Sequence, residues 1–310
     1  MSALICGSMA YDTIMVFHDK FKNHILPEKV HILNVSFLVP VLRREYGGCA
    51  GNIAYNLKLL GEEPMIMATV GHDFEPYLQW LCQCGLSTEF IRILDDSYTA
   101  QAYITTDEDD NQITAFHPGA MNLSHRNTVP ADQEISFGIV APDGKEGMQQ
   151  HARQFVDAGI PFIFDPGQGM PMFDGEELLQ FLGMANWVTL NDYESELMQE
   201  RTGLSLEQIA ERVDALIITL GGKGSKIYSD GRCLDIPAAR PAALLDPTGC
   251  GDAYRAGLLY GLLNKLDWEV TGRIASLLGA IKIEHNGTQN HVFNLEQFRD
   301  RYRENFGSSF

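Results

Sequence analysis

The sequence has no uninterrupted run of eighteen apolar residues, so it offers no candidate membrane-spanning helix. Its start, MSALICGSMAYD, has neither the basic residues nor the long apolar stretch of a secretory leader, which gives the expectation of a cytoplasmic protein with no membrane partner. Positive charge is scarce: 23 Lys and Arg face 41 Asp and Glu, a formal net charge of −18. That balance argues against a general nucleic-acid or anionic-membrane binder, since both need a basic footprint. Cysteine is sparse and scattered, at Cys6, Cys49, Cys82, Cys84, Cys233 and Cys250. The one close pair, Cys82 and Cys84, is too tightly spaced for a zinc ribbon or a thioredoxin-type motif, so reduced thiols are expected. Internal repeats, low-complexity tracts and linkers are missing, and no G-x-x-x-x-G-K-[ST] phosphate loop occurs.

What is present is a rhythm. Short apolar runs end at a small or polar residue: 3–6 before Gly7, 64–70 before Gly71, 135–142 before Asp143, 160–164 before Asp165, 186–190 before Asn191 and 215–220 before Gly221. Helical spacing of apolar residues fills intervals such as 52–60, 147–158, 193–202 and 205–213. Strands alternating with helices imply an α/β domain whose mostly parallel sheet is covered on both faces. Ligands of such sheets sit beyond the carboxyl ends of the strands, where Asp143, Asp165, Asn191 and the glycines after Leu220 fall. Two segments break the rhythm. Residues 12–45 are irregular, and 98–118 read as a β-hairpin turning near 109–111. Together they suggest a small β lid on a single domain spanning 1–310. The run Asp107–Asn111 begins like a calcium loop, but Gln112 stands where glycine is needed and no Glu follows at the twelfth position. A solvated hairpin turn is expected there.

The stretch LLDPTGCGDAYRAGLLYG, 244–261, carries the chemistry. Tyr254, Leu258, Leu259 and Leu262 recur at helical spacing, which puts Gly249, Cys250 and Gly251 at a helix N-terminus. Free N–H groups and the positive end of the helix dipole favour anions at that position. Asp252 is therefore either a helix cap or a general base acting on a hydroxyl beside a bound phosphate. The glycines before it favour the base. Cys250 carries a second reading as a reactive thiol, because a helix N-terminus lowers thiol pKa.

DPTGCGDAYRAG is similar to the C-terminal signature of the ribokinase-like (PfkB) carbohydrate kinases. GGCAGNIAYNLKLLG (47–61) resembles their double-glycine signature, and VGHD, NDYE and TLGGKG follow in the family's order. The resemblance implies a ribokinase-like three-layer sandwich with a small β-sheet lid formed by about 12–45 and 98–118. It implies an ATP- and Mg²⁺-dependent kinase with Asp252 as base and Gly249, Cys250 and Gly251 as the anion hole. Asn191 and Glu194 would organise Mg²⁺ through water, as that ion's firm hydration suggests, although Glu194 alone reads as a solvated helix acid. Thr219, Gly221, Gly222 and Gly224 would face ATP, where a tight hairpin turn is the competing account. Asp246 and Thr248 would open a K⁺ loop completed by backbone groups near Lys282, His285 and Gly287.

For the acceptor, Ser8, Asp12, Gly48 and Asn52 match the family's substrate site, with Asp12 as a turn-former in the alternative. The stretches LPEKVHILNVSFLV, GGCAGN and NGTQNHVF look closest to the bacterial adenosine kinases of the family. That subgroup implies adenosine as acceptor and AMP as product, and adds Ser36, Phe116 and Gln168 to a nucleoside pocket. Phe116 as plain hairpin core is the other reading. A second aromatic clamp is missing, since Ala102 stands in its place; one stacking contact is worth about 1 kcal/mol, too little to change substrate class. Arg43 and Arg44 would suit a sugar phosphate but read better as a solvated pair. The alternatives carried forward are a kinase of ribose or another sugar or nucleoside, and a catalytically weak nucleoside-binding sensor. Free edges of the lid sheet give the expectation of a homodimer formed through the lid.

Overall fold

A computed structural model describes residues 2–25, 31–32, 34–109 and 111–310. Positions 26–30, 33 and 110 of the two lid segments lie outside the described residues. The first strands of the main sheet are β1 (Ser2–Cys6), β4 (Met65–Gly71) and β5 (Ile91–Leu94), with β8 (Ile135–Val140) on the other side of β1. From β8 the sheet continues through β9 (Phe162–Phe164), β10 (Trp187–Asn191) and β11 (Ala215–Thr219), all parallel, and closes with the antiparallel β12 (Ser225–Ser229) and β13 (Arg232–Ile236). The strand order β13-β12-β11-β10-β9-β8-β1-β4-β5 reverses direction between β8 and β1. Such a switch point opens a crevice at the carboxyl ends.

The three layers follow from the period of two along each strand. Ala3 and Ile5 of β1 face one core with Ile139 and Ile217, while Leu4 and Cys6 face a second with Val140 and Leu216. The first core is closed by α1 (Cys49–Leu59), α2 (Glu75–Gln83), α7 (Cys250–Leu263), α8 (Trp268–Ile283) and α9 (Leu295–Phe306). The second is closed by α3 (Lys145–Asp157), α4 (Gly175–Met184), α5 (Asp192–Thr202) and α6 (Leu206–Ala210). The expected helices are all present, α6 being shorter than the spacing suggests because the chain turns at Glu211 to enter β11.

A separate four-stranded sheet forms the lid, in the order β3 (Val41–Gly47), β2 (Ala10–Val16), β6 (Ala100–Thr106) and β7 (Gln112–His117). Two details differ from the sequence reading. Residues 12–45 contain two regular strands, and Asp12 lies within β2, opposite Glu45 of β3, rather than in a turn. The hairpin turn does fall after Thr106, but Asp107 is buried, not solvated. Its carboxylate accepts from the backbone N–H groups of Phe21, Asp109 and Asn111, each at 2.9 Å, and Lys22 pairs with Asp109 at 3.1 Å. The acidic run is a clasp that ties the hairpin to the short helical turn Phe21–Asn23 that follows β2.

Candidate active site

Helix α7 starts at the switch-point crevice. Gly249, with φ of 79°, makes the left-handed turn that a side chain would resist, and an added Cβ would stand 3.0 Å from Thr288. Cys250 donates its N–H to Pro247 O at 3.2 Å. The next amides, Gly251 and Asp252, are the first-turn donors left without an acceptor among the described residues. Of the amides the sequence reading assigns to the anion hole, that of Cys250 is therefore already paired, and that of Gly251 is open together with its neighbour at Asp252.

Asp252 stands at this tip. Burial pushes its carboxyl up to about 6, with Asp165 adding to the rise and Asn52 and Arg255 opposing it. Asn52, on α1, donates from Nδ2 to Asp252 Oδ2 at 2.8 Å. Its orientation is fixed in turn, because Gln289 Nε2 donates to Asn52 Oδ1 at 3.0 Å and to Tyr77 Oη at 2.6 Å. Tyr77 Oη donates to Gly47 O at 2.9 Å, and Trp80 Nε1 donates to Gln289 Oε1 at 2.9 Å. The Trp80 ring stacks on Tyr46 of β3 at 5.7 Å and 12°. A chain of directed hydrogen bonds therefore runs from Asp252 to the root of the lid.

One helical turn on, Arg255 enters the same crevice. It grips Asp165, at the end of β9, through two bonds of 2.9 and 3.0 Å, and both residues are almost fully buried. The pair gives the site a fixed guanidinium in a position matched to carboxylate geometry.

Cavities lie to either side of the helix tip, and Gly251 lines all of them. On one side is a cleft of about 850 Å³ bordered by Thr219, Gly221, Gly222 and Gly224, with Ser276 and Gly279 of α8 opposite. Its walls are mainly apolar, which suits a flat aromatic base, and the glycines let backbone approach it. The second side is a cavity of about 1380 Å³, open to solvent, roofed by the lid. Ser8, Asp12, Gly48, Asn52, Phe116 and Gln168 line it together, with Ala102 opposite Phe116 on the neighbouring strand. Burial and the neighbouring Glu45 and Asp246 raise the Asp12 carboxyl to about 6. Phe116 is 53% exposed, so it is not hairpin core in this arrangement. Between the two sides a polar passage is lined by Asp165, Asn191, Glu194, Asp252 and Arg255. The geometry brings an apolar glycine-lined cleft, a buried carboxylate and a lid-roofed cavity to one helix tip.

Several expectations need adjusting. Ser36 is exposed and does not line the cavity among the described residues. Burial pushes the Cys250 thiol up to about 11 despite the nearby Lys282, which runs counter to the reactive-thiol reading. Arg44 lies over the Tyr11 ring at 4.2 Å and Arg43 is exposed, so neither makes a basic pocket. Asp165 falls at a strand end in the sequence reading, whereas Arg255 and Gln289 carry no role there. Arg255 had a readable signal, standing three residues after Asp252 on one helix face; Gln289 had none, because its partners are more than 200 residues away.

The residues present fit Mg²⁺ in part. Asn191 and Glu194 form a reciprocal cap of α5: Glu194 N–H donates to Asn191 Oδ1 at 2.7 Å, while Asn191 N–H and Nδ2 donate to the Glu194 carboxylate, both at 2.8 Å. Glu194 is thus buried and oriented rather than a solvated helix acid. Among the described residues no three metal-ligating side chains converge. That suits a magnesium held by nucleotide phosphates and water with one or two carboxylates in support. A resident K⁺ does not fit. Asp246 O and His285 O accept from Lys282 Nζ at 2.8 and 3.0 Å, and the Asp246 carboxylate is taken up by the N–H groups of Thr248 and Gly287, both at 2.9 Å.

A model of pfkB family carbohydrate kinases matches residues 10–294. A solved nucleoside kinase of Burkholderia thailandensis, in complex with inosine, is 50% identical with a TM-score of 0.89, covering 99% of each chain. The same enzyme in complex with ADP-inosine is 52% identical with a TM-score of 0.87, covering 99% of this chain and 97% of its own. A nucleoside kinase of Methanocaldococcus jannaschii is 32% identical over 267 residues, 86% of this chain and 88% of that protein.

Proposed function

Because this chain belongs to the pfkB family of carbohydrate kinases, a family of phosphotransferases acting on hydroxyl groups, we propose that its acceptor is a purine nucleoside. In this reading it transfers the γ-phosphoryl of MgATP to the 5′-hydroxyl of adenosine, giving AMP. The observation that carries it is the placing of Asp252 at a helix tip between two cavities, one glycine-rich and apolar, the other roofed by the lid and bearing a carboxylate, Asp12, suited to a ribose diol. The relatives named as nucleoside kinases, one with inosine bound, support a nucleoside rather than a free sugar.

Asp252 takes the hydroxyl proton as the nucleophile attacks, and the amides of Gly251 and Asp252 stabilise charge on the transferring group. Asn52 holds the base in line. Asn191 and Glu194 would hold Mg²⁺ through water, and the ion would supply screening of the phosphate charge. Asp12 and Gly48 take the ribose hydroxyls, and Phe116 covers the base. Residues 1–310 act as one kinase unit in which the lid moves over the acceptor. Exposed Val41, Leu42, Tyr103 and Ile113 on the lid favour its pairing with a second copy, which sedimentation would detect as a dimer.

The test is ADP release from MgATP with adenosine, inosine, guanosine, ribose and fructose. A kcat/KM for adenosine well above those for both sugars is expected. Preference for ribose would overturn the nucleoside reading, and nucleoside binding without turnover would make the protein a sensor.

A further inference from the structure

We propose that the ammonium group of Lys282 is a built-in monovalent cation that holds the phosphate-binding helix tip in register, so that catalysis is independent of K⁺. The inference rests on the kinase reading above. Lys282 lies in the last turn of α8, where the unpaired carbonyls and the negative end of the helix dipole attract cations. It has no exposed surface. Its ammonium donates to Asp246 O, in the loop that leads into α7, and to His285 O, just past the end of α8. Around this centre Leu245 and Asp246 donate their N–H groups to Ile283 O at 2.9 and 3.2 Å, and Gly287 donates to the Asp246 carboxylate at 2.9 Å. The loop 245–249 and the segment 282–288 are thus sewn together four residues before the helix begins at Cys250.

Burying a lysine carries a desolvation penalty, and a methionine would fill the space without it. The charge is explained by its ligands. Two backbone carbonyls converge on it from separate loops, with the Asp246 carboxylate close by. Backbone carbonyls are also ligands that a free K⁺ or NH₄⁺ takes. Here the cation is tethered, so the oxygens are filled at every salt concentration. Lys282 touches no reacting atom; it acts through Asp246, Thr248 and Gly249 on the amides of Gly251 and Asp252, and is a positioning residue.

Initial rates of the wild-type protein with choline, K⁺ or NH₄⁺ as the sole monovalent cation should agree within about twofold. Lys282→Ala should lower kcat on the order of 10²-fold, the effect of losing an oxyanion donor, with a smaller change in nucleoside KM. NH₄⁺ or K⁺ should restore much of that loss, and choline none. Lys282→Met, which fills the site with an apolar chain, should lose activity without rescue. A second readout needs no turnover: K⁺ or NH₄⁺ should raise the melting temperature of Lys282→Ala and leave that of the wild type unmoved. Strong K⁺ activation of the wild type, an unchanged kcat in Lys282→Met, or a folded Lys282→Ala that neither ion rescues would each overturn the proposal. If the wild type phosphorylates none of the acceptors, the kinase reading fails instead, while the melting comparison still decides the cation site.

Discussion

Asp252 has its carboxyl near pH 6 through burial first, then through the balance of Asn52, Asp165 and Arg255 around it. As a base it acts only when ionised, so kcat/KM should rise with pH through about 6 and level off above. Its effect on stability has the opposite sign. A carboxyl raised above its usual 3.8 binds its proton more tightly in the folded state, so folding weakens as pH climbs from about 4 to 6 and stays weaker at neutrality. Asp252→Asn should therefore lose turnover by about 10²–10⁴-fold, keep measurable nucleoside binding, and melt higher than the wild type at pH 7.5. The full shift corresponds to at most about 3 kcal/mol, reduced to about 1 kcal/mol by solvent screening at the helix tip, or about 2–4 °C. An unchanged kcat, from steady-state assays, would remove the base assignment. This residue was legible because its spacing from Gly249 and Gly251 is local. The residue that aims it through Asn52 was not, since Gln289 gains its meaning only when distant segments meet.

Among the elements, β9 and α7 are joined by the buried Asp165–Arg255 pair. Replacing Arg255 with Met strands a buried carboxylate and should cost about 3–5 kcal/mol. The double variant with Asp165→Asn should recover part of that loss, and urea melts of the four proteins would measure the coupling. Additive losses would mean that the two groups do not depend on each other. The cap of α5 separates a structural role from a catalytic one at Glu194. Glu194→Gln keeps an acceptor for the Asn191 N–H and should leave the melting temperature within a few degrees while lowering kcat. Glu194→Ala should lower both, by about 1 kcal/mol of stability for a lost cap. The helix–strand rhythm was readable because each element is specified by its own apolar period. The lid was readable only in outline: β2 pairs in parallel with β6, about ninety residues away, and no local pattern encodes that partnership.

For the whole molecule, the decisive feature is that the glycine-lined cleft and the lid-roofed cavity, proposed above for donor and acceptor, share only Gly251 at the helix tip. Their other walls come from different parts of the chain. Phe116→Ala should therefore raise the KM for adenosine by about fivefold, the equivalent of about 1 kcal/mol of stacking, and leave the KM for MgATP unchanged. A parallel rise in both constants would show that the lid also governs the nucleotide side. The acceptor's identity is the least legible property in the sequence, because it depends on small residues such as Ala102 whose effect is to leave room rather than to make contact.

The stack of Trp80 on Tyr46 has an optical consequence. Tyr46 belongs to the lid, while the indole N–H of Trp80 is bonded to Gln289 in the line that ends at Asp252. Of the three tryptophans in the chain, the other two, Trp187 and Trp268, lie away from this joint. With both replaced by Phe, the emission of Trp80 becomes a gauge of lid position, readable by stopped-flow as acceptor binds, before any phosphate moves.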